Sequence, residues 1–227
     1  MPAHIQYNEN EFQTANNFKV VLSEECYTRL LGLINLCGLH MGIDNNEYGT
    51  MLYGKVTQNQ NGIYTFNFMV PSEFDDYEPI PQRTNLNTEN MNEELIKNAL
   101  LNGSTYNCIA HVHTHPYIDQ TSRFLSEEDI QTYKNIFSNW ESLSNQQEKT
   151  INTLGCLITI SGRNMSKEDD ISFVYYDSNT EQFYNIPNIS VIINNREIPL
   201  EKINESFTYD DETVIHFNRT LLEKHQR

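Results

Sequence analysis

Basic residues are scarce, with 15 Lys and Arg against 31 Asp and Glu and a formal net charge of -16. Nucleic acid and anionic membrane surfaces are polyanions, so neither is expected as a partner, whereas a basic protein surface would be attracted. Ordinary solubility is the simpler account of such a charge and is preferred. No run approaches the roughly 18 apolar residues of a helical membrane span. The start, Met1-Pro2-Ala3-His4-Ile5-Gln6, lacks the basic and apolar regions of a signal peptide, and a cytoplasmic location is expected. The four cysteines, Cys26, Cys37, Cys108 and Cys156, contain no C-x-x-C. They suit a reducing compartment, with Cys26, Cys37 and Cys108 as small core residues and no disulfide. Sequons such as Asn188-Ile189-Ser190 then read as by-products of an asparagine-rich chain. Also missing are H-E-x-x-H, the phosphate loop G-x-x-x-x-G-K-[ST] and the nucleophile elbow G-x-S-x-G, which leaves nucleotide and serine-hydrolase chemistry without support. There is no internal repeat and no long low-complexity segment.

What is present is enough for a full core: 227 residues, 38% hydrophobic and 11% aromatic, expected to form one domain with extensions. Its most informative stretch runs from Ile109 to Asp129. Tyr106 to His113 has a buried-strand composition, and in a strand residues two apart share a face at about 6.6 Å. His113 and His115 therefore project together, close enough to share one zinc at about 2.0 to 2.1 Å per bond. Pro116 is expected to stop the strand. After a polar loop, Ser126-Glu127-Glu128-Asp129 opens a helix whose apolar positions Ile130, Tyr133, Ile136, Phe137, Trp140 and Leu143 recur at helical spacing. Asp129, in the first turn, can face the strand end as third ligand. Three protein ligands leave one tetrahedral position for water, the arrangement of a catalytic site.

Plainer readings stand beside this one. An H-x-H alone is more often chance or a satisfied core pair than a metal site. Ser126 to Asp129 is also a capping box, which starts a helix without any chemistry. Other zinc chemistries fit worse. A nucleoside deaminase wants H-x-E and a P-C-x-x-C pair, both absent, and a (β/α)8 barrel amidohydrolase typically needs about 250 residues.

Together, His113-Thr114-His115-Pro116 and Ser126-Glu127-Glu128-Asp129 resemble the signature of the JAMM (MPN-plus) metalloproteases. That family carries a glutamate on an earlier strand in a pattern like E-x-G-x-x-L-x-G, and Glu47-Tyr48-Gly49-Thr50-Met51-Leu52-Tyr53-Gly54 is similar to it. The likeness covers roughly residues 18 to 178. It implies an α/β fold, a three-layer α-β-α sandwich around a central mixed sheet with a cytidine-deaminase-like architecture. It further implies Zn2+ on His113, His115 and Asp129, Glu47 as general base and Ser126 as oxyanion donor. The reaction implied is hydrolysis of a peptide or isopeptide bond, with a ubiquitin-like protein or peptide as substrate. The glutamate would take the proton of the attacking water and return it to the leaving amine. Two alternatives are carried: a zinc amidase or peptidase with another substrate, and a non-catalytic MPN-like scaffold. Two departures go with the resemblance. The interval from His115 to Ser126 is a few residues longer than usual and is read as an outward bulge. His111 shares the face of His113 and His115, and is read as a pocket-wall histidine.

The expected organisation is a loosely ordered arm over 1–17, a catalytic domain over 18–178 and an extension over 179–227. A strand from Lys19 to Leu22, Ser23 as helix cap and a helix from Glu24 to about His40 precede the Glu47 strand, and a strand from Ile63 to Val70 follows it. Pro71 to Asn87 reads as a long polar connection, bordering the substrate groove or unstructured. A helix over Asn92 to Asn102 with a Gly103 cap leads into the histidine strand. Thr153 to Ser161 and Ile171 to Asp177 read as strands around a turn region from Gly162. Phe183 to Ile198 reads as strands or a hairpin about Asn194-Asn195, and Glu212 to His225 as a terminal helix. The extension is a candidate surface for a protein partner or homo-oligomer.

Overall fold

Alternating side chains on extended backbone divide the core in two, and which half a residue joins follows from its parity. In the histidine strand, the even-numbered Cys108, Ala110 and Val112 join one apolar cluster with Tyr27, Leu30 and Ile34 of the first helix. The odd-numbered Ile109 joins a second with Met51, Tyr53, Ile130, Tyr133 and Phe137. The histidines share the parity of Ile109, so they face the second helix.

The computed structural model describes residues 6–7, 12–40, 47–71, 77–80, 83–86, 106–116, 125–146, 152–160, 170–177 and 179–206. Its strands are β1 (Gln6–Tyr7), β2 (Gln13–Thr14), β3 (Phe18–Leu22), β4 (Gly49–Gln58), β5 (Tyr64–Pro71), β6 (Tyr77–Ile80), β7 (Arg83–Leu86) and β8 (Cys108–Pro116). They continue as β9 (Leu125–Ser126), β10 (Asn152–Ile160), β11 (Asp170–Asp177), β12 (Gln182–Ile186), β13 (Asn188–Ile193) and β14 (Arg196–Pro199). The helices are α1 (Glu24–His40), α2 (Glu127–Gln146) and α3 (Leu200–Ser206). Ser23 caps α1 as expected, its Oγ accepting from Cys26 N at 3.1 Å. Asn194 and Asn195, both at positive φ (49° and 61°), form the two-residue turn of the β13–β14 hairpin, as an I′-type connection requires. The connection after Pro71 contains the β6–β7 hairpin. The helix expected over Asn92 to Asn102 with its Gly103 cap, the bulge between His115 and Ser126, the turn region beginning at Gly162 and the terminal helix from Glu212 to His225 lie outside the described residues.

Ten strands form one mixed sheet in the order β14-β13-β3-β5-β4-β8-β10-β11-β12-β2. Its shape is legible in one residue. Pro187 alone joins β12 to β13, yet six strands lie between these two in the sheet. Only a curled sheet brings both within that reach. Ring contacts agree: β3 and β11 would be roughly 24 Å apart in a flat sheet at about 4.8 Å per strand, but Phe18 meets Tyr175 with centroids 5.0 Å apart. Phe68 on β5 stacks on Phe173 of β11 at 5.9 Å.

The expected three-layer α-β-α sandwich is therefore corrected. The chain is chiefly a curled, ten-stranded mixed sheet, a half-barrel, with three helices among the described residues. The physical reason is coverage. A helix about 10 Å wide covers about two strands, so α1 and α2 cannot form layers over ten. The curl does what helical layers would have done, burying Phe66, Phe68 and Phe173 against one another and α1. Each such large side chain contributes about 1.5–3 kcal/mol when fully buried. Strands after residue 178 belong to this same sheet, and β1 reaches back to pair with β9, Gln6 opposite Ser126. No described helix is long and apolar enough to cross a membrane.

Candidate metal centre

Three elements meet at the C-terminal end of β8. β8 runs between β4, antiparallel to it, and β10, parallel to it. Gly49 lies opposite His113 and Met51 opposite His111, so continuing the register backward sets Glu47 beside His115. Thr114, pointing away from the histidines, secures that approach. Its N–H donates to Tyr48 O at 2.8 Å and its Oγ1 accepts from Tyr48 N at 2.9 Å. Glu47 Oε1 consequently stands 3.7 Å from His115 Nε2.

α2 supplies the third side. The capping box forms reciprocally: Ser126 Oγ accepts from Asp129 N at 3.1 Å, and Asp129 Oδ2 accepts from Ser126 N at 2.6 Å. Ser126 Oγ also donates to Asp129 Oδ2 at 2.7 Å. The helix start thereby turns Asp129 toward β8. Asp129 Oδ1 is 3.4 Å from His113 Nε2 and Oδ2 is 3.4 Å from His115 Nε2, while the two Nε2 atoms are 3.1 Å apart. Ligand bonds of about 2.0–2.1 Å at tetrahedral angles put neighbouring donors about 3.3 Å apart. The three side chains thus converge at ligand spacing, and this buried group can hold a metal ion.

Protonation favours the same use. His113 is 3% exposed, and burial, aided by His115 and His111 and opposed by Asp129, pushes its pKa down to about 3. At neutral pH it is an uncharged imidazole with a lone pair to offer. Burial works to raise Asp129, but the attraction of His113 and His115 and the hydrogen bond from Ser126 outweigh it, holding the carboxyl well below its usual range. Neutral nitrogens and an ionised carboxylate are the donor forms a cation needs.

Every sequence-expected site residue lies here, with a division among them. His113, His115 and Asp129 have ligand atoms within 4.8 Å of one another. Glu47 borders His115 but falls outside that group, as does His111. His111 sits instead against Tyr133, rings edge to face at 5.6 Å, with burial pushing its pKa down to about 4. Two contributors were missed. Thr114 looks in sequence like a spacer between histidines, and Tyr133 reads as an apolar helix position, although its Oη lies 3.0 Å from His113 Nδ1. Its place one helical turn after Asp129 was the available signal.

Thr114→Val keeps the shape and removes the acceptor of Tyr48 N. Leaving that buried N–H unsatisfied is expected to lower stability by about 1–3 kcal/mol. Urea unfolding measures this, and an unchanged midpoint would show that the tie does not matter.

A separate recess of about 450 Å³ beside Lys19, Pro187, Ser190 and Glu197 contains none of these groups. There Lys19 and Ser190 both bond Glu197 and hold its carboxyl below the usual range. No protein-family model matches the chain and no curated protein matches it, so the functional reading rests on the geometry and donor chemistry of the centre itself.

Proposed function

We propose that the chain is a zinc-dependent hydrolase of peptide or isopeptide bonds, with a ubiquitin-like modifier joined to lysine as the substrate class. The observation that carries this is the convergence of His113, His115 and Asp129 at ligand spacing with Glu47 Oε1 3.7 Å from His115. Two imidazoles and one carboxylate suit zinc better than calcium or magnesium, which prefer all-oxygen sites. The spaced motifs resemble those of JAMM (MPN-plus) metalloproteases, and the resemblance contributes the substrate class; it does not extend to the sandwich fold.

Zinc, when bound, would acidify a water and polarise a carbonyl oxygen. Glu47, at the side of the ligand group, takes the proton of the attacking water and delivers it to the leaving amine. Asp129 and the histidines keep their donor atoms directed at one point. Ser126 turns its hydroxyl from Asp129 to the developing oxyanion, a donor to charge that exists only in the transition state. Its backbone N–H, 2.6 Å from Asp129 Oδ2, keeps the carboxylate in place meanwhile.

The test is metal content and cleavage on the same samples of wild type, His113→Ala, His115→Ala and Asp129→Ala, against a panel of ubiquitin-like conjugates and short peptides. About one zinc per chain, lost with cleavage in each variant, is the expected result for a three-ligand site. Zinc retained by all three variants would sink the site. Full zinc without cleavage of any substrate would sink the hydrolase in favour of a scaffold.

A further inference from the structure

A histidine can offer Nε2 to a cation only if its remaining proton is on Nδ1, and something must keep it there. For His113 that group is the phenol of Tyr133. Its Nδ1 lies 3.0 Å from Tyr133 Oη, which in turn lies 3.3 Å from the carbonyl oxygen of Cys156. A carbonyl can only accept, and a phenol has one proton. With that proton on Cys156 O, Tyr133 Oη is left as an acceptor for His113 Nδ1–H, and the His113 Nε2 lone pair faces His115 and Asp129.

We propose that Tyr133 is a positioning residue of the metal centre, holding His113 in the Nδ1–H tautomer through a relay that ends on the Cys156 carbonyl. This rests on the reading of His113, His115 and Asp129 as metal ligands.

The surroundings are shaped for this phenol. Tyr133 is fully buried, stacked on Phe137 at 5.6 Å and edge-on to His113 at 5.7 Å. An apolar ring would fill the same space without the cost of burying a hydroxyl. The strand beneath is cut away for it: a Cβ on Gly155 would come within 2.3 Å of Tyr133 Cε2. Gly155 pairs with His111 in the ladder and immediately precedes Cys156, so the residue that admits the ring is next to the carbonyl that receives its proton. Asp129 and Tyr133 are four apart on one helix. A single turn of α2 therefore carries both a ligand and the group that orients another ligand, and the two move together.

The relay is tested first without metal. Nitrogen-15 NMR of imidazole-labelled, metal-free protein reports the tautomer directly: His113 is expected as Nδ1–H in the wild type, with that preference reduced in Tyr133→Phe. Zinc affinity is then measured by competition with a chromophoric chelator, and Tyr133→Phe is expected to bind about tenfold to a hundredfold more weakly while keeping its melting temperature within a few degrees. A wild-type His113 protonated on Nε2 overturns the proposal, and that reading requires neither a variant nor metal. Equal zinc affinity in wild type and folded Tyr133→Phe also overturns it. If the wild type takes up no zinc, the ligand reading fails, and the tautomer still decides the relay.

Discussion

Glu47→Gln is expected to keep its full complement of metal and to lose cleavage by roughly a hundredfold to ten-thousandfold, the range for removing a general base. Glutamine fills the space of glutamate and accepts hydrogen bonds, but it cannot take up a proton at neutral pH. Position separates this from a ligand's role. The carboxylate is 3.7 Å from His115 Nε2 yet stands outside the group whose donor atoms lie within 4.8 Å of one another. A group at the flank of the ligands, 15% exposed, can reach a water bound there and remain in exchange with solvent. Its placement is rigid because Tyr48, next in the chain, is buried and bonded twice to Thr114. Metal analysis beside single-turnover cleavage reads both halves of the expectation. Metal lost along with activity would make Glu47 a ligand, and cleavage at the wild-type rate would remove it from the mechanism.

The centre was legible because its parts are local. Two-residue parity puts His113 and His115 on one face whatever the rest of the sheet does, and S-x-x-D starts a helix with its own hydrogen bonds. Glu47, just before β4, was picked out by the family resemblance alone, and the antiparallel register of β4 against β8 supplies the rest. Tyr133 was hidden because helical periodicity counts a tyrosine as apolar and says nothing about its hydroxyl. The sheet's extent was hidden for another reason. Strand partners are set by the whole molecule, and consecutive strands pair often enough to make that the natural assumption. β12 and β13, separated by Pro187 alone, go to opposite flanks, and Gln13–Thr14 closes the far edge against β12. No periodicity in either segment encodes that choice, so the curl that replaces the helical layers could not be read from the chain.

Among the described glycines, Gly54→Ala is expected to be the most damaging change, costing about 3 kcal/mol from the upper range of overpacking, or roughly 6–12 °C in Tm for a chain of this size. The pairing of β4 with β5 shifts register between Tyr53 and Gly54, and there the neighbouring backbone comes in close. An added Cβ would meet Asn67 O at 2.1 Å, Asn67 C at 2.7 Å and Phe68 Cα at 2.8 Å. These are main-chain atoms of a central strand and cannot swing aside as a side chain would. Gly32 in α1 is the matched control, since nothing lies within 4 Å of a Cβ there and alanine should add about 0.5–1 kcal/mol in a helix. The effect should also reach the centre. Gly54 is where β4 meets the start of β8, opposite Cys108 and accepting from Asn107 N at 3.0 Å. Displacing β4 at that point moves Glu47, at its other end, relative to His115. On the proposed reading, Gly54→Ala should therefore, below its lowered Tm, leave zinc uptake by the group on β8 and α2 intact while slowing cleavage. A wild-type Tm would show that the bulge tolerates a side chain, and wild-type turnover in a destabilised variant would show that β4 does not carry the strain to Glu47.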